Sequence, residues 1–267
     1  MEWKSSFIIG SDKKIHYYYS ENNKPPLLLL HGAMDNGMCW IPTANKLAEK
    51  YWVIMPDARG HGLTEIPKKI PFSFDLMVND VAFLVKELKL NKFQIIGHSM
   101  GANVAALFTS KYPDLVQKVV LEDPAFIAEK FPGYSKPFLF LILGILGNML
   151  IRGSYAKIYK RVKKQNPTWP EEVFKPWTES KLQYKKKDKY YLFGLIHMQY
   201  YWRTIMQDIK CPVLLISSSN GILSDKKVKE AMQLAKYLEW IKIDKAGHNI
   251  RREQPEKYMQ ALDKFLD

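Results

Sequence analysis

Short apolar runs recur along this chain with room for a helix between them, and that spacing limits its fold more than any other feature. They are "LLLL" at Leu27–Leu30, "WVIM" at Trp52–Met55, "FQIIG" at Phe93–Gly97, "KVVLE" at Lys118–Glu122, "PVLLIS" at Pro212–Ser217 and "LEWIKI" at Leu238–Ile243. Each is bounded by Pro, Gly or charge, and Ser6–Ile9 with Lys14–Tyr19 reads as an opening hairpin. Strands that are apolar throughout and separated by helices imply a parallel sheet covered on both faces. Between Phe74 and Lys89, the residues Met77, Val81, Leu84, Val85 and Leu88 form one helical stripe, with Ser73 placed as N-cap. Ser99–Tyr112 and Glu253–Leu266 read as helices too. The predicted class is α/β, with about eight strands in one sheet.

Residues 125–209 interrupt the rhythm and read as an insertion, leaving 1–124 and 210–267 as the core. The strongest apolar run, "FLFLILGILGNMLI" at Phe138–Ile151, falls there; at 14 residues it is too short to span a bilayer. Between Ala125 and Lys210 stand 16 Lys+Arg against 6 Asp+Glu, most of the chain's net charge of +13. That excess fits lysine-rich solvated helices, or attraction to an anionic surface such as a membrane. No nucleic-acid motif accompanies it. The two cysteines, Cys39 and Cys211, do not make a disulfide framework, and the N-terminal stretch has no signal-peptide core, so a cytoplasmic location is expected.

Chemistry is concentrated in "FQIIGHSMGANVAALF". An apolar strand runs directly into Gly97-His98-Ser99-Met100-Gly101 and a helix follows, the context in which G-x-S-x-G forms a nucleophile elbow. A serine hydroxyl needs a base, and His248, beside Gly247 in the loop before the last helix, has the right place in chain order. His98 reads as structural, pointing away from Ser99. Acyl transfer also needs donors for a developing oxyanion. The N–H of Met100 is one, and the N–H of Ala33, after His31-Gly32 at the end of the third strand, is the other candidate. No Cys/His cluster has ligand spacing, so neither metal nor organic cofactor is expected.

Strand-"HG", "PDARGHG" at Pro56–Gly62, "GHSMG" and the C-terminal "GHN", in that order, resemble the α/β-hydrolase superfamily in its esterase-like branch. The resemblance covers nearly the whole chain. It implies an α/β-hydrolase fold: a mostly parallel eight-stranded sheet with a helical cap, here 125–209, inserted after strand six. It gives the Asp57–Gly62 loop a structural role. The elbow serine argues against likeness to haloalkane dehalogenases and epoxide hydrolases, which use aspartate.

Many members of that superfamily carry the triad acid after the seventh strand, where this chain has "ISSSNGILSD" at Ile216–Asp225. Serine and asparagine cannot serve as the carboxylate. Asp225 reads as a helix start after Ser224, and Asp244 as part of the last strand. Asp123, at the end of the sixth strand and held extended by Pro124, is favoured over both. The expected protein is a serine esterase with a Ser99–Asp123–His248 triad, acting on a small-molecule ester. The apolar acyl or aromatic group of that ester would lie against Phe138–Ile151 and the aromatics of Tyr190–Trp202. Lactonases, thioesterases and C–C bond hydrolases use the same triad, and a non-enzymatic ligand-binding protein is the reading from a different class.

Overall fold

The computed structural model describes residues 2–21, 23–65, 73–126, 152–185 and 200–267. Eight strands form one sheet: β1 (Lys4–Ile9), β2 (Lys14–Tyr19), β3 (Pro26–Leu30), β4 (Trp52–Pro56), β5 (Phe93–His98), β6 (Val116–Glu122), β7 (Val213–Ser218) and β8 (Leu238–Ile243). Their spatial order is β1-β2-β4-β3-β5-β6-β7-β8. The β1–β2 and β2–β4 pairs are antiparallel and all the others parallel. The expected mostly parallel sheet is therefore present, and each of the six apolar runs read as strands lies in one.

Alternation along those strands feeds two cores. Leu28, Leu30, Ile95 and Val119 pack with helices α2 (Phe74–Glu87) and α3 (Met100–Lys111) on one face. Leu27, Leu29, Ile96 and Val120 pack on the other face, where α1 (Ile41–Leu47) and Tyr258, Leu262 and Phe265 of the C-terminal helix lie. Four consecutive leucines thus serve both sides of the sheet, because successive strand side chains point in opposite directions. Ser73 caps α2 as expected, its hydroxyl accepting from Leu76 N–H at 3.1 Å.

Between β6 and β7, helices α4 (Tyr155–Gln165), α5 (Glu171–Lys185) and α6 (Trp202–Asp208) are described. Phe138–Ile151 and residues 190–199 lie outside the described residues. α4 and α5 share an apolar cluster of Ile158, Val162, Trp169, Val173, Phe174 and Trp177, separate from the two sheet cores. α5 also rests on the loop after β3, where Asn36 Nδ2 donates to Gln183 Oε1 at 2.9 Å. α6 packs beside α3, with Trp202 stacked on Phe126 at 4.7 Å. The chain closes with α7 (Asp225–Leu234), a short α8 (Ile250–Glu253) and α9 (Pro255–Leu266). Among the described residues no helix is long and apolar enough to cross a membrane.

Candidate active site

Ser99 stands between β5 and α3 with φ 53° and ψ −115°, a strained conformation for a residue with a Cβ. Its two flanking glycines are what allow the turn. A Cβ on Gly97 would lie 2.3 Å from the carbonyl oxygen of Gly101, and one on Gly101 would lie 2.2 Å from that of Leu30. The hydrogen bond from Ser99 N–H to Glu122 O, 2.9 Å, fixes the turn to the neighbouring strand. Ser99 is 9% exposed, at the carboxyl end of the parallel strands, where open α/β sheets place their ligands.

The loop after β3 closes over this turn. A Cβ on Gly32 would meet His98 Nδ1 at 2.7 Å and Ser99 Cβ at 3.4 Å, so only glycine permits the approach. Ala58 N–H donates to His31 Nε2 at 3.0 Å, which leaves the ring proton on Nδ1 to donate to Gly32 O at 2.8 Å. Ala33 is exposed in the turn that follows, and Met34 has φ 64°. Among the described residues neither Ala33 N–H nor Met100 N–H donates a hydrogen bond.

Asp123 is fully buried at the end of β6. Its Oδ2 accepts from His248 Nδ1 at 2.6 Å and from Ile222 N–H at 2.9 Å, and its Oδ1 accepts from Leu223 N–H at 3.0 Å. Two of those three donors belong to the β7 loop that lacks a carboxylate of its own. Gly221 makes the fit possible, since a Cβ there would stand 2.6 Å from Asp123 Oδ2. One expectation fails: Asp123 is not extended but has φ 41°. Its N–H still donates to Ile216 O at 2.8 Å, and the backbone turns there so that the carboxylate enters the β7 cup. The restriction imposed by Pro124 yields to these tertiary bonds.

The serines of "ISSSNG" brace the histidine loop. Ser218 Oγ donates to Gly247 O at 2.7 Å, Ser219 Oγ accepts from Lys245 N–H at 3.2 Å, and Asn220 N–H donates to Ala246 O at 3.1 Å. His98, expected to be structural, also reaches this loop: its Nε2 donates to His248 O at 2.9 Å, and the two rings lie 4.7 Å apart. Burial first, then the charge of Arg251, pushes the His98 pKa well below its ordinary value, so the ring is neutral. His248 remains 32% exposed on its side chain. Among the described residues no hydrogen bond joins Ser99 Oγ to His248. Asp225 starts α7 and pairs with Lys242 at 2.7 Å on the surface, and Asp244 is exposed; neither touches His248.

Two buried ion pairs beside the site, at Glu122 and Asp35, had no local signal in the sequence. Glu122 Oε2 accepts from Arg251 Nη1 at 2.9 Å, and Asp35 meets Lys181 and Arg252 at 2.7 and 2.6 Å. The Asp57 loop is held by bonds to His16 Nδ1 at 2.9 Å and to Gly37 and Leu63 N–H, both at 2.8 Å.

Residues 25–251 match the family model described as alpha/beta hydrolase fold. A serine hydrolase-like protein of Danio rerio is 39% identical over 95 residues, 35% of this chain and 29% of that protein, so the match spans under a third of the relative's length. Epoxide hydrolase 1 of Caenorhabditis elegans is 23% identical over 287 residues, covering 99% of this chain and 70% of that one. The likeness argued against from the elbow serine therefore exists along the chain as a whole. Among solved structures, E-2-(acetamidomethylene)succinate hydrolase superposes with a TM-score of 0.83 at 20% identity, covering 100% of both chains. The naproxen esterase of Bacillus subtilis gives 0.78 at 19% identity, covering 100% of this chain and 92% of its own. At such identities the structural likeness speaks for the fold. Eight strands in this order, the elbow at the end of β5 and a family match over most of the length converge: the chain belongs to the α/β-hydrolase family.

Proposed function

We propose that this protein is a serine hydrolase that cleaves a carboxylic ester bearing an apolar acyl or aromatic group. The observation that carries the reading is the 2.6 Å bond between His248 Nδ1 and the buried Asp123 carboxylate, beside a strained serine. With the Nδ1 proton committed to Asp123, Nε2 is the free base. It takes the Ser99 proton as Oγ bonds to the acyl carbon, and the carbonyl electron pair moves onto the oxygen. The Ala33 and Met100 amides receive that oxyanion, a contribution of about 2.7–4 kcal/mol for each donor. The pair then returns, the C–O bond to the alcohol breaks, and His248 protonates the leaving oxygen. Water, losing its proton to His248, attacks the acyl-enzyme and releases the acid with Ser99 restored.

Residues 125–209 act as the cap in this reading. A basic stripe on α4, formed by Lys157, Lys160 and Lys164, carries the exposed face of that helix and suits weak contact with an anionic membrane surface. Co-sedimentation with liposomes, with and without anionic lipid, tests that contact. The test of the activity is fluorophosphonate labelling located by mass spectrometry, followed by a panel of esters of graded acyl length. Rapid labelling at Ser99 alone and a preference for medium acyl chains are expected. An unlabelled but folded protein would remove the hydrolase reading, and a preference for acetyl esters alone would remove the apolar acyl group.

A further inference from the structure

We infer that Asp35 is a positioning residue, whose buried carboxylate locks the loop carrying Ala33 to α8, the short helix after the His248 loop, and to helix α5. The inference rests on the hydrolase reading above, in which the Ala33 amide receives the oxyanion. Asp35 lies two residues after Ala33 and is 4% exposed. Its Oδ1 accepts from Lys181 Nζ of α5 at 2.7 Å, and its Oδ2 from Arg252 Nη2, four residues after His248, at 2.6 Å. These partners are 146 and 217 residues away in sequence, so one carboxylate joins three separate pieces of the site. Arg251 adds a third cation at 3.8 Å while bonding Glu122, the neighbour of Asp123.

Stability alone does not explain the arrangement. A buried ion cluster repays its desolvation only partly, and apolar residues of similar volume often serve as well. Its geometry has a specific local consequence. Lys181 Nζ grips the loop twice, at Asp35 Oδ1 and at Met34 O, 2.9 Å away. Met34 is the residue with φ 64°, directly after Ala33, and a side-chain-bearing residue keeps such a conformation only when its surroundings over-determine it. The two-point grip supplies that constraint, aided by Asp35 N–H donating to Gly32 O at 3.2 Å. The cations are themselves fixed by indole faces: Lys181 Nζ lies 4.4 Å from the Trp177 ring, Arg252 5.2 Å from Trp169 and Arg251 4.0 Å from Trp40. The oxyanion loop thus takes its conformation from α5 and from α8 together.

The experiment compares wild type with Asp35→Asn, Lys181→Met and the double variant. Turnover is expressed per fluorophosphonate-titrated site, and thermal midpoints are recorded alongside. Asp35→Asn should lower turnover per titrated site about 10- to 100-fold with KM little changed, because a displaced oxyanion donor acts in the transition state. Lys181→Met should lower it about tenfold, and the loss in the double variant should fall well short of the product of the two single losses, since both residues hold the same loop. A merely structural residue would change the midpoint and the titratable fraction, but not turnover per titrated site at unchanged KM. Wild-type turnover per site in folded Asp35→Asn overturns the inference; should that variant not fold, wild-type turnover in Lys181→Met overturns it instead. Folded wild type that never labels removes the hydrolase reading and this inference with it, whereas labelling with unaffected variants removes the inference alone.

Discussion

The ends of β6 and β7 lie side by side in the sheet and contribute opposite things to one carboxylate. β6 ends in Asp123, buried completely and turned out of the extended conformation. β7 ends in serines, an asparagine and a glycine, and offers two backbone amides to the carboxylate and two serine oxygens and an amide to the histidine loop. The strand end without an acid is therefore not degenerate: it is the receptor for its neighbour's acid. A carboxylate at low dielectric is costly unless several donors converge on it, and three N–H groups converge on Asp123. Asp225, a few residues past that cup, sits in water against one lysine.

The comparison breaks most decisively at the acid itself. Asp123→Asn should lower kcat by about ten-thousand-fold in an ester assay, because the amide favours the wrong imidazole tautomer. A loss below tenfold would show that the carboxylate at β6 is not the working one. The cup is the next target. Gly221→Val drives a side chain into the space 2.6 Å from Asp123 Oδ2. Turnover per titrated site should fall about 10- to 100-fold, as misplacement of a catalytic group by about an ångström commonly does. Unchanged kinetics would mean that the β7 loop merely covers the acid.

A third test uses pH. His31, His61 and His98 have pKa values lowered from the ordinary 6.5, in each case first by burial, and His61 is pushed down to about 3. Below the unfolded value the denatured chain binds protons that the native one refuses, so this part of the stability is full above pH 6.5 and lost as pH falls. The thermal midpoint should drop between about pH 7 and about pH 5, and His61→Gln should flatten the slope. A flat wild-type profile would contradict the neutral, buried state of these rings. The smallest effect belongs to Asp225→Asn. An exposed pair of this kind is worth about 0–1 kcal/mol, so kcat should stay within about twofold and the midpoint should hardly move.

Much of the frame was readable from the chain. The six apolar runs and the two hairpin segments became strands within a residue or two of their expected limits, because a continuous apolar stretch bounded by Gly, Pro or charge has few other places to go. Ser73 as cap and the glycines of "GHSMG" are likewise local: their physics involves bonds and clashes within a few residues or with the adjacent strand. His98 shows where local reading stops. Its position in the elbow marked it as structural without saying what it supports, and its ring bonds the backbone of His248, 150 residues on. Asp35 carried no signal either, since nothing around "GAMDNG" announces partners on α5 and α8.

The sequence by itself determined the α/β class, the eight strands and the serine at the sharp turn, because hydrophobic period and glycine sterics act over short stretches of backbone. Only the tertiary structure decided which carboxylate meets His248. That pairing spans 125 residues and depends on a glycine-lined cup built by a third segment, so it exists only once β6, β7 and the last loop are packed together. Side-chain electrostatics at a buried site is a property of everything that converges there, and convergence is what folding supplies.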